Sequence, residues 1–146
     1  NHEKQPEAMQ CAVNVMNSIG AIGYISNKPN PNRILKECQD KEIPILAIRA
    51  VQAGALTSRM DREPHPSGRD KPDFDDYEKA ESFRDLAKEW GESPASLAHR
   101  YALSIQKVSS VILGVKNTQE LKECLKTERM NELNEEQIKE LENLFV

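Results

Sequence analysis

Short apolar runs alternate with amphipathic helical segments along this 146-residue chain, and this alternation constrains the fold more than any other feature. The apolar runs are rich in β-branched residues, which favours strands, whereas apolar residues three or four apart favour helices. Strands that alternate with helices form parallel βαβ units, so the sequence predicts an α/β fold. The strands are predicted at residues 9–15, 43–48 and 108–113, and the helices at 33–40 and 73–90, with further helices opening at residues 94, 117 and 134, the last ending at 144.

The number of strands is too small for a sheet without open edges. Residues 43–48 form a near-continuous apolar run, typical of a strand buried on both faces. Pro44 is predicted at the beginning of this strand, where no hydrogen-bond donor is needed. A three-stranded parallel sheet leaves two edges unpaired, and unpaired edges invite other chains. We therefore expect the chain to associate with a second copy or with a complementary partner.

Local signals mark where the helices start and stop. Asp73 is predicted to cap one helix that runs to Trp90, and Gly91 is predicted to end it. Ser93 is predicted to cap the next helix, because Pro94 suits a first helical position. The connecting loops are predicted at residues 17–32 and 52–72.

The composition argues against several classes of partner. The formal net charge is −4 and no basic block exceeds two residues, which argues against nucleic acid. No apolar run is long enough to span a membrane. The cysteines are odd in number, far apart and outside Cys-x-x-Cys pairs, which indicates reduced thiols in the cytoplasm rather than disulfides or a metal site. They are Cys11, Cys38 and Cys124.

Residues 108–125 have the features of a phosphate-binding turn. The apolar run, predicted as a buried strand, ends at Gly114, and the chain passes through Lys116 into a helix that Asn117 can cap. Glu120, three residues after the cap, completes the pattern of a capping box. Glycine permits close approach, and the free N–H groups of a helix start favour an anion. The alternative interpretation is an ordinary strand-to-helix turn with a surface lysine.

Four stretches of the chain, taken together, resemble one family. They are residues 9–14 (MQCAVN), 45–56 (ILAIRAVQAGAL), 86–103 (LAKEWGESPASLAHRYAL) and 108–124 (VSSVILGVKNTQELKEC). Their order and spacing are similar to the C-terminal part of an aldo-keto reductase, whose fold is a (β/α)8 barrel. The resemblance covers roughly barrel strands six to eight, whereas a full barrel needs about 250 residues. It implies that residues 1–146 are one partial-barrel domain, a fragment of an NAD(P)-linked oxidoreductase.

The resemblance implies no catalytic residue in this chain. The family's catalytic Asp, Tyr, Lys and His come from strands one to five, and none of the four maps onto this sequence. Tyr77 and Tyr101 lie on apolar helix faces and are predicted to pack in the core. His99 has no partner at ligand or acid–base spacing and is predicted to have no functional role.

The resemblance does imply a site for a nicotinamide dinucleotide, without a metal. Gln10 matches the residue that hydrogen-bonds the nicotinamide carboxamide, since an amide side chain both donates and accepts. Arg49, at a strand end, matches a ligand of the pyrophosphate, and the alternative is an ion pair with an acidic residue. Gly54 and Arg59 match the loop over the pyrophosphate and the adenosine phosphate, and a solvated Arg59 is the alternative there.

The phosphate-binding turn matches the adenosine end of the family's cofactor site. The residues that match the family's binding site for the adenosine 2′-phosphate are Gly114, Lys116 and Asn117. Glu123 matches a residue that contacts the adenosine side. Glu120 stands where many members have Gln or Arg, and its carboxylate would repel a 2′-phosphate.

A second departure concerns adenine, where Cys124 replaces the usual Asn. The two departures leave the cofactor open between NADP and NAD and predict weak binding. Three functions remain open: the cofactor-binding half of an NAD(P)H-dependent aldo-keto reductase that is inactive alone, a nucleotide-binding module that forms homo-oligomers or joins a complementary half-barrel, and a structural protein with a degenerate nucleotide site.

Overall fold

The centre of the molecule is a parallel sheet of three strands in the order β1-β2-β3. The computed structural model describes residues 4–21 and 30–146, and the part of the predicted 17–32 loop at residues 22–29 lies outside them. The strands are β1 (Met9–Ala12), β2 (Ile45–Ile48) and β3 (Val108–Val111), and the helices are α1 (Pro31–Asp40), α2 (Lys71–Lys79), α3 (Glu81–Glu89), α4 (Pro94–Ser104), α5 (Thr118–Glu128) and α6 (Glu135–Asn143).

The middle strand, β2, is the most buried of the three. It pairs with β1 from Met9 opposite Ile45 onward, and with β3 on its other side. Ile45 and Ala47 are completely buried, as the near-continuous apolar run predicted. Pro44 immediately precedes the strand, and its carbonyl accepts a hydrogen bond from the Met9 N–H at 2.9 Å. The predicted α/β class with parallel strands is confirmed.

The prediction that β3 is a buried strand is wrong for this chain. Ser109 and Ser110 are exposed, and Val108 and Val111 are only half-buried. The reason is its position, because β3 lies at the edge of the sheet and pairs with β2 alone. In the described part of the chain no further strand covers the outer edge of either β1 or β3.

The single helix predicted from Asp73 to Trp90 is two helices, and Asp73 is not its cap. The first helix, α2, begins at Lys71 with Pro72 in its first turn, and α3 begins after Ala80. Ala80 leaves the helical conformation at φ −86° and ψ 17° and is completely buried. The carboxylate of Asp73 is also buried and binds two arginines, so it is not available as a cap.

The other helix boundaries follow the local signals closely. The Ser93 side chain accepts a hydrogen bond from the Ser96 N–H, and Pro94 opens α4 as predicted. Asn134 and Gln137 form a complete capping box at the start of α6. The first helix starts slightly earlier than predicted, because Asn30 caps it ahead of Pro31.

Two apolar clusters hold these elements together. One lies against the sheet and contains Ile45 and Ala47, and the other lies among the helices around Phe83 and Leu97. Both are mainly aliphatic, as expected from the low aromatic content. Among the helices that the structure describes, none has both the length and the apolar character needed to cross a membrane.

Candidate functional site

A cavity of about 530 Å³ opens at the carboxyl ends of β2 and β3. We call its two sides the loop end, formed by residues 49–54 after β2, and the helix end, formed by residues 112–124 after β3 together with Asp61 and His99. Most of the residues that the sequence predicted for a cofactor site line this one cavity. They are Arg49, Gly54, Arg59, Gly114, Lys116, Glu120, Glu123 and Cys124.

Two predicted site residues do not line the cavity. Gln10 is the second residue of β1, which runs on to Ala12, and its side chain is exposed. Asn117 acts as the cap of α5: its Oδ1 accepts a hydrogen bond from the Glu120 N–H at 2.9 Å. No observation tests whether either residue binds a cofactor, and both assignments stay predictions.

The Glu120 carboxylate lies at the N-terminal end of α5, but its hydrogen bonds are not those of the predicted capping box. Its Oε2 accepts a hydrogen bond from the Lys116 N–H at 2.7 Å, and its Oε1 accepts one from Asn117 Nδ2 at 3.0 Å. In a capping box this carboxylate would accept from the N–H of Asn117 instead. The prediction is therefore wrong in its second half. The negative charge of Glu120 therefore already interacts with the positive end of the helix dipole at the start of α5.

The ammonium group of Lys116 is also engaged. It forms an ion pair with the carboxylate of Asp61, a residue of the long loop before α2. The hydrogen bond from Lys116 lowers the pKa of Asp61. Gly114 faces open space, since a Cβ added there would meet nothing within 4 Å. The sequence did not indicate Asp61 as a site residue.

At the loop end, Arg49 forms an ion pair, as the alternative interpretation proposed. Its Nη2 lies 2.6 Å from Oδ1 of Asp73, and its Nε donates to Oε1 of Gln52 at 2.9 Å. The same Asp73 carboxylate accepts a hydrogen bond from Arg62 at 2.9 Å. The charge of Arg49 is thus compensated within the chain, although the side chain still lines the cavity.

The turn that follows Arg49 is held by a buried polar network. Gln52 is completely buried, and its Nε2 donates to Asp76 Oδ2 at 2.8 Å and to Ser18 Oγ at 2.9 Å. The turn passes through left-handed conformations that end at Gly54, with φ +98°. Such a backbone persists only where surrounding contacts fix it. The network therefore sets the position of the loop end.

Arg59 differs from the other cations that line the cavity. Arg49, Arg62 and Lys116 are each paired with a carboxylate. Arg59 is exposed, and within residues 4–21 and 30–146 it makes no ion pair. Its guanidinium is thus the lining cation that is available to an anion from outside the chain.

The helix end contains His99, a residue for which the sequence predicted no functional role. His99 is buried, lines the cavity, and has its Nδ1 3.9 Å from the Sγ of Cys124. Burial lowers the pKa of His99 and raises the pKa of Cys124, so the pair is neutral at pH 7. Ser93 hydrogen-bonds Glu123 beside them. Nothing local in the sequence marks His99 as a lining residue, because its partner Cys124 lies 25 residues away in the chain.

A comparison with protein-family models decides the family. The model described as "Aldo/keto reductase family" matches residues 3–145, which is nearly the whole chain. The chain belongs to the aldo-keto reductase family. This finding confirms the resemblance drawn from the four sequence stretches. The curated proteins contain no significant match to this aldo-keto reductase chain.

Solved structures give the same fold. The glycerol dehydrogenase of Gluconobacter oxydans superposes with a TM-score of 0.68 at 21% identity, over 92% of this chain and 41% of its own. The apo form of an aldo-keto reductase from Bacillus halodurans gives 0.69 at 14% identity, over 97% and 44%. A thermostable aldo-keto reductase in complex with the inhibitor epalrestat gives 0.60 at 18% identity, over 92% and 38%.

The chain therefore spans about two fifths of the length of these solved relatives. The likeness shows that its three strands and their helices form part of a (β/α)8 barrel. The carboxyl ends of barrel strands are where active sites of this fold are built, and the cavity opens at that face.

The cavity has the size and the lining of a small-molecule site. Its volume lies within the usual range of about 300–1,000 Å³ for small-molecule sites. Arg59 offers a charge to a phosphate, Gly114 leaves open space, and His99 offers a neutral polar edge. No group of three potential metal ligands lies together in the part of the chain that the structure describes.

Proposed function

We propose that this chain supplies the nicotinamide-dinucleotide-binding part of an NAD(P)H-dependent aldo-keto reductase. What supports the proposal is that eight residues, assigned to the cofactor from sequence alone, line one cavity at the carboxyl ends of two strands. They come from segments up to 75 residues apart, from Arg49 to Cys124, so their meeting does not follow from sequence proximity. A bound reduced cofactor supplies a hydride to a carbonyl carbon in such enzymes.

In this proposal the two ends of the cavity have different tasks. Arg59 binds the pyrophosphate, because a guanidinium gives charge-assisted hydrogen bonds to phosphate oxygens. Gly54 allows the loop to turn beside it. Gly114 leaves room for the adenosine ribose, and the neutral His99 and Cys124 pair lies at the adenine side, where each group can donate or accept a hydrogen bond.

The proposal assigns no proton donor for the carbonyl oxygen to this chain. The hydroxyl of Tyr101 donates to Glu142 at 2.8 Å, and burial raises the pKa of this tyrosine far above its usual value. The hydroxyl of Tyr77 donates to the carbonyl of Ser58 at 3.1 Å. Both hydroxyls thus have partners within the chain. Tyr101 packs in the core among the helices, as predicted, whereas Tyr77 is only half-buried and lies outside both apolar clusters.

The substitution Arg59→Ala tests the binding site. We expect it to weaken both NADH and NADPH by about tenfold, because it removes a charge-assisted contact to the shared pyrophosphate. Isothermal titration calorimetry measures both affinities. The matched control is Arg69→Ala, which removes an exposed arginine of the same loop that does not line the cavity. Equal affinities for wild type and Arg59→Ala, or no binding by wild type, would contradict the proposal.

A second candidate function is association through the open sheet. The outer edges of β1 and β3 are unpaired within the described residues, and large apolar side chains are exposed near β3 and on α5. They are Ile112, Val115, Leu121 and Leu125. Such a surface fits a second copy of this chain or a complementary half-barrel, because both would cover strand edges and apolar area together.

Light scattering at micromolar concentration tests this second candidate. We expect a dimer or a larger species for the chain alone. Substituting Leu121 and Leu125 by Glu should shift the population toward the monomer. A charged side chain at either position would oppose its burial in an interface between two chains. A monomeric wild type with a sharp, cooperative unfolding transition would exclude self-association.

A further inference from the structure

We propose that the helix end of the cavity selects NAD(H) over NADP(H), and that Asp61 sets this preference. The inference rests on the proposed function, since it concerns the adenosine side of the same site. It goes beyond the sequence interpretation, which left the two cofactors open and did not include Asp61.

The first argument is that the cation assigned to a 2′-phosphate is already neutralised. Lys116 forms an ion pair with Asp61 and is the main cause of the lowered pKa of its carboxyl, while the charge of Arg59 acts on the same carboxyl without forming an ion pair. A 2′-phosphate that binds Lys116 must either displace Asp61 or accept its negative charge as a neighbour. Both alternatives cost binding free energy that a 2′-hydroxyl does not lose.

The second argument concerns the start of α5. The carboxylate of Glu120 lies across it and accepts the Lys116 N–H and the Asn117 side chain. The Glu120 N–H is used by Asn117. Some of the backbone N–H groups that would bind an anion at this helix start therefore already donate hydrogen bonds within the chain. The start of α5 therefore carries the carboxylate of Glu120, and the ammonium group of the adjoining Lys116 is paired with Asp61.

The third argument is that the Asp61 carboxylate suits a ribose. A ribose 2′-hydroxyl donates a hydrogen bond to a carboxylate oxygen, which is how acidic residues recognise NAD in dinucleotide-binding folds, whereas a 2′-phosphate needs a cation there. Asp61 and Gly114 both line the cavity, and the open space at Gly114 leaves room for a sugar. The Asp61 carboxylate, which repels a phosphate, can thus accept the hydrogen bond of the hydroxyl that replaces it.

Asp61 has more influence than Glu120 because it acts on the cation directly. Glu120 is tied to the backbone of the turn, and its charge is partly used as a cap. Asp61 contacts the ammonium group itself. Removing the charge of Asp61 releases Lys116 for a phosphate and also removes a repulsive neighbour.

The test measures the affinities of wild type and Asp61→Asn for NADH and NADPH by isothermal titration calorimetry. Adenosine 5′-monophosphate and adenosine 2′,5′-bisphosphate serve as smaller probes that differ only at the 2′ position. We expect wild type to bind NADH about tenfold more tightly than NADPH, and Asp61→Asn to reduce this ratio about three- to tenfold. The two adenosine probes should show the same change.

The matched control is Asp75→Asn. Asp75 also forms an exposed ion pair with a lysine, Lys71, but neither residue lines the cavity. This variant should leave the ratio unchanged. Tighter binding of NADPH by wild type, or equal effects of Asp61→Asn on both cofactors, would overturn the inference while the proposed function stands. If neither cofactor binds to wild type, the proposed function fails and the inference with it.

Discussion

At each end of the cavity a lining cation pairs with an aspartate, and the two ion pairs lie in opposite environments. At the loop end, the side chains of Arg49 and Asp73 are 16% and 5% exposed. At the helix end, the side chains of Lys116 and Asp61 are 61% and 45% exposed. The first pair is joined by Arg62 and Gln52 in one network, whereas the second lies in solvent between a loop and a turn.

This difference indicates that one ion pair stabilises the fold and that the other influences which cofactor binds. A buried carboxylate that binds two guanidinium groups cannot be released without leaving charges unpaired in a low-dielectric region. An exposed pair is weak, because water and salt screen it. The loop end is therefore fixed by the fold, and a ligand must fit it. The pair at the helix end can rearrange around a ligand, so that end is where cofactor preference is set.

The largest effect expected from this comparison is the loss of the buried carboxylate in Asp73→Asn. Arg49 would lose the charge that compensates it, and Arg62 would keep only Asp70, 3.9 Å away. We expect the free energy of unfolding to fall by about 3 kcal/mol. Urea denaturation followed by circular dichroism measures this change. Cofactor affinity should fall as well, because the turn at residues 52–54 depends on the same network.

Asp75→Asn provides the control for this measurement too. Asp75 lies two residues further along α2 and pairs with the exposed Lys71. We expect its effect on unfolding to be close to the experimental error. If Asp73→Asn is no more destabilising than this control, the network at the loop end is not what fixes the fold there.

The sequence predicted those parts of the molecule that depend on neighbouring residues. Ser93 with Pro94, and Asn134 with Gln137, are short-range signals, and both helix starts occur where predicted. The apolar run at residues 43–48 also predicted the central strand, because burial on both faces requires such a run.

The features that sequence reasoning missed depend on contacts between distant residues. Asp73 had the spacing of a helix cap, but it pairs with Arg49, 24 residues away. Asp61 and Lys116 are 55 residues apart, and His99 and Cys124 are 25 apart. None of these pairs has a local signal, because the connecting loop and the packing of α4 on α5 bring them together.

The smallest effect expected is on stability, in Asp61→Asn. This is the same chemical change as Asp73→Asn, made at the other end of the cavity. The Lys116–Asp61 pair is exposed and holds no other element in place, so we expect the free energy of unfolding to change by less than about 0.5 kcal/mol. The same urea denaturation measures it, and 1 M salt should remove what difference there is. A loss near that of Asp73→Asn would show that both ends are structural. A stable variant whose cofactor ratio changes would instead show that stability and selectivity reside at opposite ends of one cavity.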